Sequence, residues 1–355
     1  MVPSFSKVHN KFKLNRTYFS HAQLNDVAYS FIKEGDSFEK SIGDFLLDWL
    51  DDKDFILVKT SGSTGKPKAI TLKKQAMVNS AIATGNFFNL TPGSKALLCL
   101  PTEFIAGKMM LIRAIILGLE LDIIAPSLYP LASIEKSYDF CAMVPMQLQN
   151  SLAELYKVKT LIVGGGTVSL SLHNKLQEVS TRVYETYGMT ETMTHIAVRP
   201  LNHVESVDGS ACFKTLPNIV IAQDERGCLI VKAPHLNIES IITNDLVKLH
   251  TDNEFKILGR FDNMINSGGL KLFPEQIEAK LSSKIKQRFF IASEKDEVLG
   301  DKLILVLEGE SKKIETNVLD VLNKYETPKQ IYAVKHFIET STGKVKRLET
   351  LKSIK

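Results

Sequence analysis

Phe55-Ile-Leu-Val-Lys-Thr60 runs directly into Ser61-Gly-Ser-Thr-Gly-Lys-Pro-Lys68. The first six residues form a short apolar run that reads as a strand, and the glycine- and hydroxyl-rich stretch reads as the turn that ends it. Working outward, the same punctuation recurs. Strands are expected at 95–100, 121–126, 138–144, 159–165 and 181–188, with helical patterns near 72–88, 106–118, 145–156 and 169–179 between them. Strands alternating with helices predict an α/β layer with a largely parallel sheet. Ligands of such sheets sit beyond the carboxyl ends of the strands, and the turns after 55–60 and after 159–163 lie at such ends.

The flanks differ. Residues 1–50 read as an irregular start with one amphipathic helix, Phe38 to Leu50. From about residue 201 the runs become short and turn-bounded, which predicts an antiparallel β subdomain over 201–260. Beyond Arg260 come a helix (274–285), strands (288–294 and 302–310), a helix near 313–325 and a strand at 331–337: an α+β unit. The expected domains are therefore 1–260 and 261–355, with a hinge around Arg260–Asn263.

Composition narrows the function. The chain has 355 residues, 44% hydrophobic and 24% charged, as in globular proteins with a large core. Its 44 Lys and Arg against 40 Asp and Glu give a charge of only +4, no footprint for nucleic acid or an anionic membrane. Cys99, Cys141, Cys212 and Cys228 form no CxxC or Cys/His cluster, so they read as buried thiols of a reducing compartment, with neither a disulfide framework nor a zinc site. The basic start is followed by no apolar core of a signal peptide, and the longest apolar stretch is interrupted by Arg113. The expected location is the cytoplasm.

The loop Thr60 to Lys68 carries the strongest chemical signal. Its hydroxyls, two glycines and lysines can wrap a polyphosphate with backbone N–H groups and side chains. The spacing is not that of a Walker A loop.

This loop resembles the phosphate-binding loop of the acyl-adenylate-forming superfamily, and other segments match in order. Gly164-Gly-Gly166 and Tyr184-Glu-Thr-Tyr-Gly-Met-Thr-Glu191 resemble its adenine-binding and metal-ligand segments. Thr243-Asn-Asp245 stands where the superfamily has Thr-Gly-Asp. Leu258-Gly-Arg-Phe-Asp262 resembles its ribose and hinge motif, and the stretch from Ser267 to Glu278 resembles the loop used in the second half-reaction. Thr342-Gly-Lys344 resembles the motif bearing its catalytic lysine. The matches span nearly the whole chain.

The resemblance implies an ATP-dependent acid–CoA ligase using Mg²⁺, with CoA as second substrate: carboxylate to acyl-AMP plus pyrophosphate, then thioester plus AMP. Residues 1–260 would bind ATP and the acyl group, and 261–355 would be a small mobile domain. Thr60, Ser61, Gly62, Ser63, Thr64, Gly65 and Lys68 would cradle phosphates, with Thr190. Gly164, Gly165, Gly166, Glu185, Thr186, Tyr187 and Gly188 would line adenine, the Tyr187 ring suiting it best. Asp245 would accept the ribose hydroxyls and Arg260 would donate to them; Thr251-Asp252 is a rival with poorer spacing. Glu191 would hold Mg²⁺. Lys344 would bridge acyl oxygen and α-phosphate, with Lys346 and Arg347 as solvated neighbours. Asp262 would be the hinge, and Ser267, Gly268 and Gly269 would line the route of the pantetheine arm.

Superfamily members usually exceed this length, and much of their N-terminal region is missing here. With the segments at 100–114 and 265–278, this looks like the short o-succinylbenzoate–CoA ligases of menaquinone synthesis. The usual aromatic-His pair before Gly107 is replaced by Glu103-Phe104-Ile105-Ala106. The implied acid keeps one carboxylate after activation, and Gly107, Lys108, Arg113 and His195 are the candidates for its pocket. Another aryl- or acyl-CoA ligase, a module loading a carrier protein and a nucleotide sensor are the competing readings. The partners are small molecules, with room for a homodimer.

Overall fold

A computed structural model describes residues 3–59, 69–204, 211–311, 314–315, 317–339 and 345–354. The chain divides into two compact units. One holds most residues up to Val220 together with Lys232–Ile241; the other holds Ile221–Val231 and Ile242 onward. The architecture is α/β with an α+β C-terminal part, as expected. Contacts thus group much of the β subdomain with the C-terminal residues, where the sequence led to a division at 260/261.

The first unit is built on strands β1 (Lys13–Leu14), β2 (Thr17–Tyr18), β3 (Phe55–Lys59), β4 (Ala69–Lys73), β5 (Lys95–Leu98), β6 (Glu120–Ile123), β7 (Tyr138–Met143), β8 (Val158–Val163), β9 (Arg182–Gly188), β10 (His195–Pro200) and β11 (Phe213–Thr215). Nine of them lie in the order β11-β10-β9-β8-β7-β5-β6-β1-β2. From β9 to β1 every neighbour is parallel, while β10, β11 and β2 pair antiparallel. A parallel sheet is covered on both faces, so its strands carry unbroken apolar runs. Leu97, Leu98, Phe140, Cys141, Leu161 and Val163 are accordingly buried. One face packs Leu97, Cys141, Leu161 and Val183 against Leu172 and Leu176.

Helices α1 (His21–Glu34) and α2 (Ser37–Leu50) precede this sheet, followed by α3 (Lys74–Phe88), α4 (Ile105–Leu117), α5 (Pro145–Asn150) and α6 (Leu170–Leu176). Four expectations are corrected here. The first 50 residues contain two helices, the first started by a Ser20–Gln23 capping box. The stretch 72–88 begins as β4, because Ile56–Val58 need a partner and Ile70–Leu72 supply it. As a result β3 belongs to an antiparallel hairpin, with Lys59 paired to Ala69, and not to the parallel sheet. Finally, 145–156 breaks at Ser151 into α5 and a 3₁₀ turn, Leu152–Lys157.

Helix α4 is buried nearly all round, from Met109 to Ile116, Arg113 included. Such a helix needs close contacts on every side. At its start Gly107 supplies one: a Cβ there would lie 2.3 Å from the carbonyl oxygen of Pro101.

Strands β12 (Val220–Gln223), β13 (Cys228–Ala233), β14 (Ile238–Thr251) and β15 (Glu254–Arg260) lie in that order, and the second unit holds them apart from Val220, Lys232–Ala233 and Ile238–Ile241, which fall in the first. Then follow β16 (Ile265–Ser267), β17 (Leu270–Leu272), helix α7 (Pro274–Leu281), β18 (Phe289–Asp296), β19 (Gly300–Glu308), β20 (Gln330–Val334) and helix α8 (Arg347–Lys352). Strand β19 shows the period of two. Leu303, Leu305 and Leu307 pack with Ile277 and Leu281 of α7, while Ile304 and Val306 pack with Phe290 and Phe337 on the other face. Where a helix was expected near 313–325, the described residues hold a 3₁₀ turn, Val318–Val321.

Gly107→Ala should cost about 1–3 kcal/mol, because backbone and not a flexible side chain must yield. A lower urea midpoint with unchanged slope checks this; an unchanged midpoint refutes the close-approach argument.

Candidate functional site

The carboxyl ends of β7, β8 and β9 bring together Met143, Gly164 to Gly166, and Thr186 to Gly188. The Gly164 N–H donates to the Met143 carbonyl at 3.2 Å, and the Thr186 hydroxyl donates to the Val163 carbonyl at 3.1 Å. A Cβ at 164 would stand 2.4 Å from Thr186 Oγ1, so a larger residue there would displace that hydroxyl from the Val163 carbonyl. Gly165 and Gly166 continue the turn toward Val144 and Pro145. On β9 Glu185 faces Arg199 of β10, its register partner, whose Nε donates to Oε2 at 2.6 Å. The Arg199 guanidinium lies over Phe213, which also meets the Tyr187 ring edge-on at 6.0 Å. Tyr187 is 9% exposed, so little of its ring is left for a base.

Beyond β9 a 3₁₀ turn, Thr190–Thr192, presents Glu191 to solvent, with Thr190 half-buried. Thr192 knots this turn: its hydroxyl oxygen accepts from the Met189 N–H at 3.0 Å and lies 2.7 Å from the Thr194 carbonyl oxygen. Met193 is held at φ 60°, ψ −44°, a strained conformation for a residue with a Cβ. Among the described residues no group of three or more His, Cys, Asp or Glu could hold a metal. One exposed carboxylate still fits Mg²⁺, which keeps waters and is bound through one or two carboxylates plus phosphates.

The knot delivers Thr194 and His195 to α4. Arg113 Nη2 donates to Thr194 Oγ1 at 3.0 Å; Thr194 Oγ1 lies 3.3 Å from His195 Nδ1, and Thr84 Oγ1 of α3 lies 3.4 Å from His195 Nε2. Arg113 is 1% exposed, its Nε is buried without a partner, and among the described residues no carboxylate is paired with it. Burial alone lowers its pKa to about 9. Burial, and then the Arg113 charge, pushes His195 well below 6.5. Lys108 points elsewhere. Five positions from Arg113 on one helix is roughly 140° of rotation, and its ammonium lies 4.6 Å from the Phe45 ring centroid. Its pKa is lowered by burial against the opposing pull of Asp48, Glu103 and Asp44.

In the second unit Asp245 of β14 and Arg260 of β15 are register partners, with Nη1 donating to Oδ1 at 3.0 Å. Arg260 also reaches Asp262 at 3.4 Å. Asn244, the departure from the superfamily's glycine, bridges the same group: its amide donates to Asp262 Oδ2 at 3.1 Å and accepts from Arg226 Nη1 at 3.2 Å. The rival Asp252 sits in the exposed turn between β14 and β15. Ser267, Gly268 and Gly269 form the tip of the β16–β17 hairpin.

Thr60 to Lys68 and Lys344 lie outside the described residues. The base of the lysine's segment is described: Glu339 and Val345 form an isolated bridge, and the Lys346 N–H donates to the Ile338 carbonyl. Arg347, expected as a solvated neighbour, is instead an anchor. Its guanidinium donates to Glu278 of α7 at 2.9 Å and to the Ile291 carbonyl. Burial raises the Glu278 carboxyl, against the pull of Arg347.

The motif reading missed Thr84, Thr194, Arg199, Phe213 and Arg226. Register across the β9–β10 hairpin would have found Arg199; Thr84 and Arg226 have no local signal.

Residues 33–233 match the family model described as AMP-binding enzyme. A 2-succinylbenzoate–CoA ligase of Bacillus cytotoxicus is 24% identical over 330 residues, covering 82% of this chain and 69% of that protein. Among solved structures, an acyl-CoA synthetase (AMP-forming)/AMP-acid ligase II-like protein from Dyadobacter fermentans is 35% identical, covers 93% of this chain and 98% of that one, and superposes with a TM-score of 0.63. The o-succinylbenzoate CoA synthetase of Bacillus subtilis, in complex with its acyl-adenylate intermediate, has a TM-score of 0.73 at 23% identity, covering 82% and 68% of the two chains. That last likeness carries the fold.

His195 gives a pH test. Its folded pKa lies below the unfolded 6.5, so the unfolded chain binds the extra proton, and stability must fall as pH drops below about 6.5. The slope reaches at most about 1.4 kcal/mol per pH unit. Half-buried His235 adds in the same direction, so the measurement is the difference from His195→Gln, whose stability should fall less steeply between pH 6.5 and 5. Parallel curves would mean that His195 takes up its proton equally in the folded and unfolded chain.

Proposed function

Because the chain belongs to the AMP-binding enzyme family, we propose that it activates o-succinylbenzoate, a dicarboxylic aromatic acid, with ATP and passes the acyl group to CoA. The carboxylate oxygen attacks the α-phosphorus, the bond to the β-phosphate breaks, and pyrophosphate leaves. The thiol sulfur then attacks the acyl carbon, the bond to AMP oxygen breaks, and AMP leaves. Both steps bring anionic groups together, so positioned positive charge and hydrogen-bond donors do most of the work.

The observation that carries the substrate reading is Arg113. A guanidinium buried without a carboxylate is costly unless something anionic joins it. The carboxylate that is not activated is such a group, and the partnerless Nε is a donor for it. His195 neighbours that cation, while Gly107 shapes the start of α4 and Lys108 stands apart. Thr60 to Lys68, with Thr190, receive the phosphates; Gly164 to Gly166 and Glu185 to Gly188 wall the adenine; Asp245 and Arg260 take the ribose. Glu191 would hold Mg²⁺, which neutralises charge on the departing pyrophosphate when bound. Lys344 meets the α-phosphate, Asp262 is the hinge, and Ser267 to Gly269 line the thiol route. No helix of the described residues is long and apolar enough to cross a membrane, and a reducing, ATP-supplied cytoplasm suits the buried free thiols Cys99 and Cys141.

With Mg²⁺, ATP, o-succinylbenzoate and CoA, the purified protein should form AMP and the thioester; ADP as product would sink the assignment, and turnover confined to monocarboxylic acids would favour another acyl-CoA ligase. Lys344→Ala should lose pyrophosphate release by several orders of magnitude yet convert preformed acyl-AMP to thioester normally. Equal loss of both halves would make the lysine structural. Arg113→Gln should raise KM for the diacid roughly tenfold to a hundredfold, the worth of one charged hydrogen bond; an unchanged KM would send the spare carboxylate elsewhere.

A further inference from the structure

Around His195 the hydrogen bonds run in one direction only. The Thr84 hydroxyl donates its single proton to the Ser80 carbonyl at 3.1 Å, so its oxygen can only accept from His195 Nε2. A neutral imidazole carries one N–H, and that N–H is therefore at Nε2. Nδ1 is left as a lone pair, which takes the proton of the Thr194 hydroxyl. The Thr194 oxygen then accepts from Arg113 Nη2, and a guanidinium only donates. The proton that Thr84 gives to Ser80 fixes this polarity, and the Arg113 end agrees with it, since a guanidinium only donates. The elements that hold these groups, α3, α4 and the turn after Thr192, all belong to the first unit.

We infer that Thr84 and Thr194 are positioning residues, which hold His195 as its Nε2–H tautomer and through it aim the Arg113 guanidinium at an anionic group of the acid substrate. This rests on the reading of Arg113 as the partner of the spare carboxylate. It also assigns His195 a role the motif did not. Both its nitrogens are committed to threonines, so it neither binds the carboxylate nor moves a proton. It is a neutral spacer between a hydroxyl on α3 and the hydroxyl that orients the cation. Charging the ring would put a second proton at Nδ1, against the Thr194 hydroxyl proton and beside Arg113, and the relay would break.

The test has two readouts. Long-range ¹H–¹⁵N correlation on histidine-labelled protein, with His195→Gln assigning the signal, should show neutral His195 protonated at Nε2 at pH 7. Thr84→Val, which removes the acceptor, should shift the ring toward the Nδ1–H form. Thr194→Val should raise KM for o-succinylbenzoate about tenfold with kcat little changed, as expected for losing one polar contact to a charged group. Thr194→Ser, which keeps the hydroxyl, should restore it. The control is whichever mono-acid, made by replacing one carboxylate with hydrogen, still turns over; its KM should not respond to Thr194→Val. An Nδ1–H or imidazolium signal in the native protein overturns the inference, and so does an equal KM rise for diacid and mono-acid. An unmoved KM in Arg113→Gln overturns the substrate reading, which the tautomer measurement does not depend on.

Discussion

A positive charge is buried inside α4 with no carboxylate of the described residues paired with it, and much of the first unit is arranged around that fact. Arg113 sits within Met109–Ile116, a stretch otherwise made of Met, Leu, Ile and Ala side chains, all shielded from water. Replacing it by leucine would suit the packing better, since ionised groups in apolar surroundings lose their hydration. Its presence is therefore a cost the fold carries in the unliganded state, offset in part by one threonine hydroxyl. The lowered affinity of the guanidinium and of His195 for protons both come first from burial, to which the Arg113 charge adds at His195.

That constraint reaches back along the chain. For Thr194 to meet Arg113, the segment after β9 must reverse within a few residues, and Thr192 closes it by bonding back to Met189. Met193 takes up the strain at its positive φ. Backbone strain of this kind persists where surrounding contacts over-determine it. The second unit solves a different problem with a similar device. There Arg260 is held between Asp245 and Asp262, and Asn244 ties the same aspartate to Arg226, so that the departure from the superfamily's glycine brings an extra cross-link and not a defect.

The parallel strands were legible because a sheet buried on both faces writes unbroken apolar runs into the sequence. The motifs were legible because glycines and hydroxyls punctuate strand ends. What escaped was whatever depends on a partner. Helix α1 has few strongly apolar residues, and only its Ser20–Gln23 capping box announces it. Strand β4 is five residues, too short for its Ile70/Leu72 alternation to stand out, and it runs straight into the helix that follows. Lys108 and Arg113 look equivalent in a list of cations, yet five positions on a helix set them on different faces. Arg347 looks like one more surface charge until Glu278, 69 positions away, is folded against it.

The bridge between Glu339 and Val345 has a thermodynamic corollary. Joining the two ends of a segment has an entropic cost that depends on loop length. Here the ends flanking residues 340–344 are joined within the fold itself, and the Arg347–Glu278 ion pair pins the chain just beyond. The cost of closing that segment is thus met when the unit folds, and not by a later event.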